Sequence, residues 1–341
     1  MNPRRRAISA MIPTSAALCS LGAHAQQRTV TWRFGHVFSV PNTLFDNVAM
    51  KEYPERIARA SDGLVKIEVV QGVVNPNTML DALSDGRIQM GSIVTAASSA
   101  THPRWHVLGL PGVLDKEADY PKVAREIVWP YTDAELKRRW GATIVNMGAF
   151  TATLFFSRAQ SGPVDRIEKF KGLKYRTHSV ELSKLIEQMG GAPVGLPFGE
   201  LYSAMERRVV DAYTSTAAAV LGNGLFEVTG FAEDWPAGLG LWHYVASEKA
   251  ISALPQPVAR SVMAEFAAIQ KDLSERHLQE AQTGISTLGS RGVKLVQVAE
   301  SEKQRVRTLA REVVWKTWLD RTGAEGRKLL SDVLSSLGKS L

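Results

Sequence analysis

Cysteine is nearly absent: Cys19 is the only one in 341 residues, and it falls in an N-terminal stretch that reads as removable. Without it the chain has no disulfide, no thiol nucleophile and no zinc–thiolate site. Long hydrophobic runs are missing as well. After the N-terminus no charge-free stretch reaches the ~18 apolar residues of a membrane span, which excludes a multi-spanning membrane protein. Neither sign of charge dominates, with 41 Lys+Arg against 34 Asp+Glu and a formal +7. Removing Arg4, Arg5 and Arg6 with the leader leaves +4, a surplus that gives nucleic acid no footing but suits a small anionic ligand. Catalytic signatures are lacking too: there is no Gly-x-Ser-x-Gly elbow, no His-Glu-x-x-His pair and no P-loop. Gly222-Asn223-Gly224 and Gly238-Leu239-Gly240 are too short and wrongly placed for a dinucleotide loop. His102 and His106 have a spacing that would chelate metal on a helix, but Pro103 works against that helix, so no metal is expected. Asp115 and Glu117 lie in polar loops and read as solvated carboxylates. No cofactor and no catalysis are expected.

What is present is ordinary globular material, 45% hydrophobic and 22% charged, long enough for about two domains of ~150 residues. Residues 1–25 combine a basic start, an apolar middle from Ala7 to Leu21 and Ala23-His24-Ala25 before Gln26. This is the layout of a secretory signal peptide. Pro13 and the shortness of the apolar run argue against a stable span. Cys19 follows leucine rather than the small residue of a lipoprotein signal. An exported, soluble protein in the periplasm is expected.

The mature chain opens with strand-like alternation at Thr29–His36. A helix pattern follows at Leu44–Ala60, then a strand at Leu64–Val70, a helix at Asn75–Asp85 and an apolar run at Ile88–Val94. The rhythm returns with a strand at Gly172–Thr177, a helix at Val180–Met189, a strand at Ala192–Leu196, a helix at Glu200–Arg207 and an apolar run at Val209–Tyr213. Residues 82–91 lie over 204–213 in pattern, 122 positions apart, which suggests duplication. From Pro257 to Leu288 the spacing of Val258, Val262, Phe266, Ile269 and Leu273 predicts one helix, roughly 45–50 Å long, bracing two lobes. Val293–Val298 reads as a strand and Glu300–Asp320 as a helix. The expectation is an α/β protein of two lobes with largely parallel sheets. Ligands of such sheets sit beyond the carboxyl ends of the strands, here facing each other across a cleft that can close by hinging.

Phe170-Lys-Gly-Leu-Lys-Tyr-Arg176 resembles a strand of the substrate-binding subunits of TRAP (tripartite ATP-independent periplasmic) transporters. Met189-Gly-Gly-Ala-Pro-Val, Leu196-Pro-Phe-Gly-Glu-Leu-Tyr-Ser-Ala-Met and Val209-Val-Asp-Ala continue it, and Arg33-Phe-Gly-His-Val, Leu110-Pro111 and Leu254-Pro255 also sit where that family has them. The resemblance covers about residues 30–320. It implies a two-lobed binding-protein fold with a long helix spanning both lobes. Lobe I would take 28–152 and 242–280, and lobe II 153–241 and 281–325. It also implies a receptor that hands a small organic acid anion to a sodium-driven TRAP membrane permease. Arg208 and Ala212 stand where the family often has glycine, and Thr214-Ser215-Thr216 where many members have Glu-Asn. Thr151-Ala152-Thr153 replaces a Gly-x-Arg, so a second cationic clamp is missing. A monocarboxylate, aromatic or 2-oxo, is therefore expected rather than a dicarboxylate.

Arg176 ends its strand on the face opposite Leu173 and Tyr175, and its guanidinium can grip a carboxylate with two parallel hydrogen bonds. Thr214 and Thr216 would add neutral hydrogen bonds, with ordinary strand threonine as the alternative. Ser98 and Ser99 would donate across the cleft or cap a helix. His36 reads as a cleft contact or a packing histidine. Trp235 and Trp242, with Phe38 and Phe150, would cage an apolar ligand body or simply fill core. The chain is expected to be a monomer. A ligand-sensing subunit for a membrane kinase and a periplasmic hydrolase stand as alternatives.

Overall fold

The computed structural model describes residues 29–72, 75, 76, 78–114 and 116–341. The leader with Cys19, and Asp115, lie outside the described residues. In chain order the strands are β1 (Val30–His36), β2 (Val65–Gln71), β3 (Met90–Val94), β4 (Ala142–Ala149), β5 (Leu154–Ser157), β6 (Lys174–Thr177), β7 (Ala192–Gly195), β8 (Ala212–Ser215), β9 (Phe231–Glu233), β10 (Leu241–Ser247) and β11 (Lys294–Val296). They form two sheets, β2-β1-β3-β10-β4 and β11-β9-β5-β8-β6-β7. Helices flank both sheets, giving an α/β protein of two lobes.

Each sheet has one reversed strand. β10 is antiparallel to β3 and β4, and β5 is antiparallel to β8 and β9. Both are strands that the chain enters directly from the other lobe: β4 leads through 150–153 into β5, and β9 leads through 234–240 into β10. A strand that leaves one sheet at its carboxyl end and enters the next without a helix must start at the shared cleft and run away from it. Its direction is therefore opposite to strands that arrive by way of a helix.

The 122-residue offset reappears in register. Phe34 of β1 pairs with Met90 of β3, and Tyr175 of β6 pairs with Ala212 of β8. Met90 and Ala212 are 122 residues apart. The strand orders correspond as well, with β2, β1, β3, β10, β4 matching β7, β6, β8, β5, β9. The two lobes are one topology used twice, and Arg176 falls where the first lobe has Gly35.

The helix at Gln256–Ser290 has 35 residues, about 52 Å at 1.5 Å each. It closes the outer edge of the first sheet, where β4 would otherwise leave backbone groups unpaired. Gln270 takes Met147 N at 2.8 Å on its Oε1 and donates to Met147 O at 3.0 Å. Asn146 donates to Phe266 O at 2.8 Å. Further along, Glu280 accepts from Leu44 N at 2.5 Å, and Gly284 lies against Ala217 of the second lobe. His277 contacts Ala149 O at 3.1 Å and lies 2.8 Å from Glu117 Oε1. Glu117, expected to be solvated, instead accepts from Ala152 N at 3.0 Å and ties the crossing segment to the long helix.

Two sequence expectations shift. The helix expected over Asn75–Asp85 is regular only over Met79–Ser84. The C-terminal helix extends to Ser336 and includes a kink at Gly323 (φ 64°). From Trp315 onward this tail lies on the first lobe, with Trp315 Nε1 donating to Pro111 O at 2.9 Å and Trp318 Nε1 to Pro103 O at 2.9 Å.

Candidate ligand-binding cleft

A cavity of about 800 Å³ opens where the carboxyl ends of β1, β3, β6, β7 and β8 converge. The first lobe contributes Val37–Val40 beyond β1 and Ala96, Ala97, Ser99 and Ala100 beyond β3. The second lobe contributes Arg176–Ser179, the 195–199 loop, Ser215 and Thr216. Its walls are mostly apolar, with Phe38, Phe150 and Phe198 as the aromatic surfaces. Arg176 is the only charged side chain lining it among the described residues.

Arg176 is held by strand alternation. Tyr175 turns inward onto Phe155 and Phe170, so Arg176 must turn outward to the cavity. Only 6% of the residue is exposed. Its Nε donates to Leu196 O at 3.3 Å, and its guanidinium carbon lies 5.5 Å from the centre of the Phe198 ring. Among the described residues no carboxylate pairs with it and no protein group hydrogen-bonds its two Nη nitrogens. Burial lowers its pKa to about 10, which leaves it cationic at neutral pH. A buried guanidinium with an open fork and no counter-ion is a preformed anion site.

Beside it stands His178, which sequence reasoning did not select. Its Nδ1 lies 3.2 Å from Thr214 O and 3.1 Å from Thr214 Oγ1. A carbonyl can only accept, so Nδ1 carries the proton. Burial, the Arg176 charge and His106 push its pKa down to about 3, against the opposing effect of the Thr214 carbonyl. The ring is therefore neutral at pH 7. A lone histidine after a strand has no sequence signature of its own; only its place two residues after Arg176 marks it.

Thr216 lines the cavity, but its hydroxyl caps the helix Ala217–Gly222 by accepting from Ala219 N. Ser99 also lines it, and its Oγ accepts from Val180 N at 3.2 Å, joining the first lobe to the second. Phe38 and Phe150 are on the wall. The remaining expected residues are elsewhere. Thr214 is fully buried beneath the site, where it supports His178 and contacts Arg176 O at 3.5 Å. Ser98 is buried and does not face the cavity.

His36 is buried against Phe45 and holds Asp46 Oδ1 at 3.0 Å. Burial pushes the Asp46 carboxyl up, but hydrogen bonds from His36, Ser39 and Val40 outweigh it and hold the pKa below its usual value. The tryptophan cage does not form. Trp235 packs on Phe155 and Phe170 and donates to Val164 O at 2.8 Å. Trp242 covers Gly148, where any Cβ would strike its ring, and donates to Ala149 O at 3.2 Å. Both satisfy their indole N–H inside the core. His102 stacks on Trp105 and His106 bonds Thr95, each separately engaged. Among the described residues no group of three or more His, Cys, Asp or Glu side chains is placed to hold a metal. No helix among them is long and apolar enough to cross a membrane.

Comparison with known proteins agrees with this architecture. The family model of bacterial extracellular solute-binding proteins, family 7, matches residues 34–320. A solute-binding protein of Albidiferax ferrireducens is 21% identical over 280 residues, 80% of this chain and 81% of its own. A Bordetella pertussis extracytoplasmic solute receptor binding pyroglutamic acid superposes with a TM-score of 0.80 at 18% identity, covering 89% of this chain and 99% of that one. A TRAP periplasmic solute-binding protein of Shewanella oneidensis with bound succinate gives 0.78 at 18% identity, with the same coverage. The sensor and hydrolase alternatives find no support in these likenesses.

Proposed function

The chain belongs to the bacterial extracellular solute-binding proteins of family 7, the receptor subunits of TRAP transporters, and on that premise we propose that it captures an organic monocarboxylate between its lobes and delivers it in the periplasm to a sodium-coupled TRAP permease. The observation that carries the ligand class is Arg176, buried, cationic and without a counter-ion at the cavity wall. The ligand's carboxylate would supply the missing charge through two parallel hydrogen bonds. One cation, with apolar and hydroxyl surfaces around it, suits one carboxylate on a largely uncharged body. Receptors of similar fold are described with pyroglutamic acid and with succinate, so the fold itself admits both one and two carboxylates. The lone cation here supports the first.

Closure follows from the division of contacts. Arg176 and His178 come from the second lobe, Phe38 and Ser99 from the first, so a ligand meets all of them only with the lobes together. No chemistry is done on the ligand. We take the lobes to divide as 28–152 with 242–280 and 153–241 with 281–325, the tail returning to the first. We take the receptor to act as a monomer.

The test is a thermal-shift and calorimetric screen of residues 26–341, refolded from denaturant to strip bound ligand, against mono-, di- and aromatic carboxylates. A ligand at ~100 times its dissociation constant adds about 2.7 kcal/mol. Monocarboxylate binding that is abolished in Arg176→Ala is the expected result. A set of acids that all fail to bind, or binding untouched by Arg176→Ala, overturns the reading.

A further inference from the structure

We propose that His178 sets ligand selectivity by presenting an unprotonated Nε2 to the cavity, so that the preferred ligand is a monocarboxylate bearing an O–H or N–H donor within two or three bonds of its carboxylate carbon. The inference rests on Arg176 being the carboxylate anchor and adds what lies beside that anchor.

The tautomer is fixed from behind. Thr214 O and Thr214 Oγ1 both lie within 3.2 Å of Nδ1, and the carbonyl has only lone pairs to offer. The single ring proton of the neutral imidazole is thereby placed on Nδ1, and Nε2 keeps a lone pair. His178 lines the cavity, and among the described residues no protein group hydrogen-bonds its Nε2. Thr214 is buried in β8, its hydroxyl within reach of Arg176 O, so the ring cannot exchange its donor for an acceptor without losing that support.

Arg176 lies in β6 and His178 one residue past its end, two positions on and about 6–7 Å away between α-carbons, and both reach the cavity wall. A small acid with its carboxylate on the guanidinium fork therefore brings its next atoms toward the imidazole. A hydroxyl or N–H there gains a hydrogen bond. A carbonyl oxygen or second carboxylate sets lone pair against lone pair, and a methylene leaves Nε2 desolvated without a partner. Of the hydroxyls nearby, Thr177 Oγ1 and Ser183 Oγ bond each other at 2.6 Å, and Ser183 donates to Ser179 O, so the protons of both are already spent within the second lobe.

The experiment compares, for several carbon skeletons, the 2-hydroxy acid, the 2-oxo acid and the unsubstituted acid by calorimetry on the whole mature chain. The 2-hydroxy acid is expected to bind at least tenfold more tightly than either companion. His178→Phe should bring the three within about threefold, weakening the 2-hydroxy acid and strengthening the unsubstituted acid that no longer desolvates Nε2, and His178→Gln should recover part of the preference through its amide oxygen. Nitrogen-15 NMR of the free wild-type protein reads the tautomer without any variant, and the Nδ1–H form is expected. An Nε2–H tautomer, a 2-oxo acid preferred by the wild type, or a hydroxy-acid preference that survives His178→Phe overturns the inference. Acids that bind through Arg176 with no preference overturn it while leaving the anchor intact, and failure of every acid to bind overturns both.

Discussion

Arg321 reaches Glu181 from the other side of the cleft, Nη1 to Oε1 at 3.2 Å. Its Nη2 donates to Ser99 O at 2.7 Å and Ala100 O at 3.1 Å. One guanidinium on the C-terminal helix thus ties the first-lobe loop after β3 to the second-lobe helix Val180–Gln188. Arg321→Ala releases that tie only where the lobes are this close. Glu181 is buried but Arg321 is part-exposed, so the effect lies between a surface and a buried pair. A loss of about tenfold in ligand affinity is expected, from a faster off-rate, measured by stopped-flow fluorescence. An unchanged off-rate would remove Arg321 from closure.

Arg176 should harm the empty protein. A guanidinium buried without a counter-ion is destabilising, and an apolar side chain of similar length removes that penalty. Arg176→Met is expected to raise the stability of the ligand-free protein by about 1–3 kcal/mol while abolishing carboxylate binding. Urea unfolding with and without ligand measures both. A destabilised Arg176→Met would show that the arginine acts mainly as a packing residue.

Acid stability turns on three histidines, His106 and His243 in the core and His178 part-buried at the cavity wall. Burial lowers His106 and His243 to about 4 and His178 to about 3, whereas in the unfolded chain each returns to about 6.5. Below pH 6.5 the unfolded chain binds protons that the folded one refuses. Stability therefore falls as pH drops toward those values, by up to ~1.4 kcal/mol per pH unit for each histidine. Glu233 acts in the opposite sense. Burial raises it to about 7, so between there and 4.5 the folded chain holds the extra proton and stability rises as pH falls. Unfolding free energy measured from pH 7 to 5 should show a shallower slope in His243→Phe and a steeper one in Glu233→Gln. Parallel slopes in all three proteins would refute this assignment.

Gly222 marks where the lobes touch behind the cleft. A Cβ there would fall 2.2 Å from Pro41 O, a backbone atom. Gly222→Ala must push the 41 loop and the helix Ala217–Gly222 apart, an overpacking of about 1–3 kcal/mol. Weaker ligand affinity and a larger radius of gyration in the liganded state are expected from calorimetry and small-angle scattering. Native affinity with native dimensions would mean that the loop yields freely.

The sequence reading located β1, β2, β6 and the long helix because each carries a clean period. Trp32, Phe34 and His36 point their large side chains to one face at every second position, and Val262, Phe266, Ile269 and Leu273 repeat at helical spacing. It gave no reading of β4, β5 or β10. All seven residues of β10 and nearly all of β4 are buried on both faces, so no alternation distinguishes them from core of any other kind. Arg176 was singled out through the resemblance of its strand, since a strand-end arginine alone reads as a surface ion pair, and it lies on the cavity wall. Trp235 and Trp242 were placed wrongly because composition cannot tell an aromatic wall from an aromatic core; the acceptors Val164 O and Ala149 O that hold them inside appear only in three dimensions.

The two crossing strands also set an order of assembly. Between β3 and β4 the first sheet has a gap that only residues 241–247 can fill, and they come some ninety residues after β4 ends. A chain emerging from its N-terminus can form β1, β2 and β3 early, yet its first core stays open until most of the second lobe has been made. The long helix then seals β4, and the tail from Trp315 packs on the lobe after it. Half of this protein is therefore not a smaller protein. A fragment ending near residue 150 should remain uncondensed, which keeps a nascent chain threadable until synthesis is almost complete.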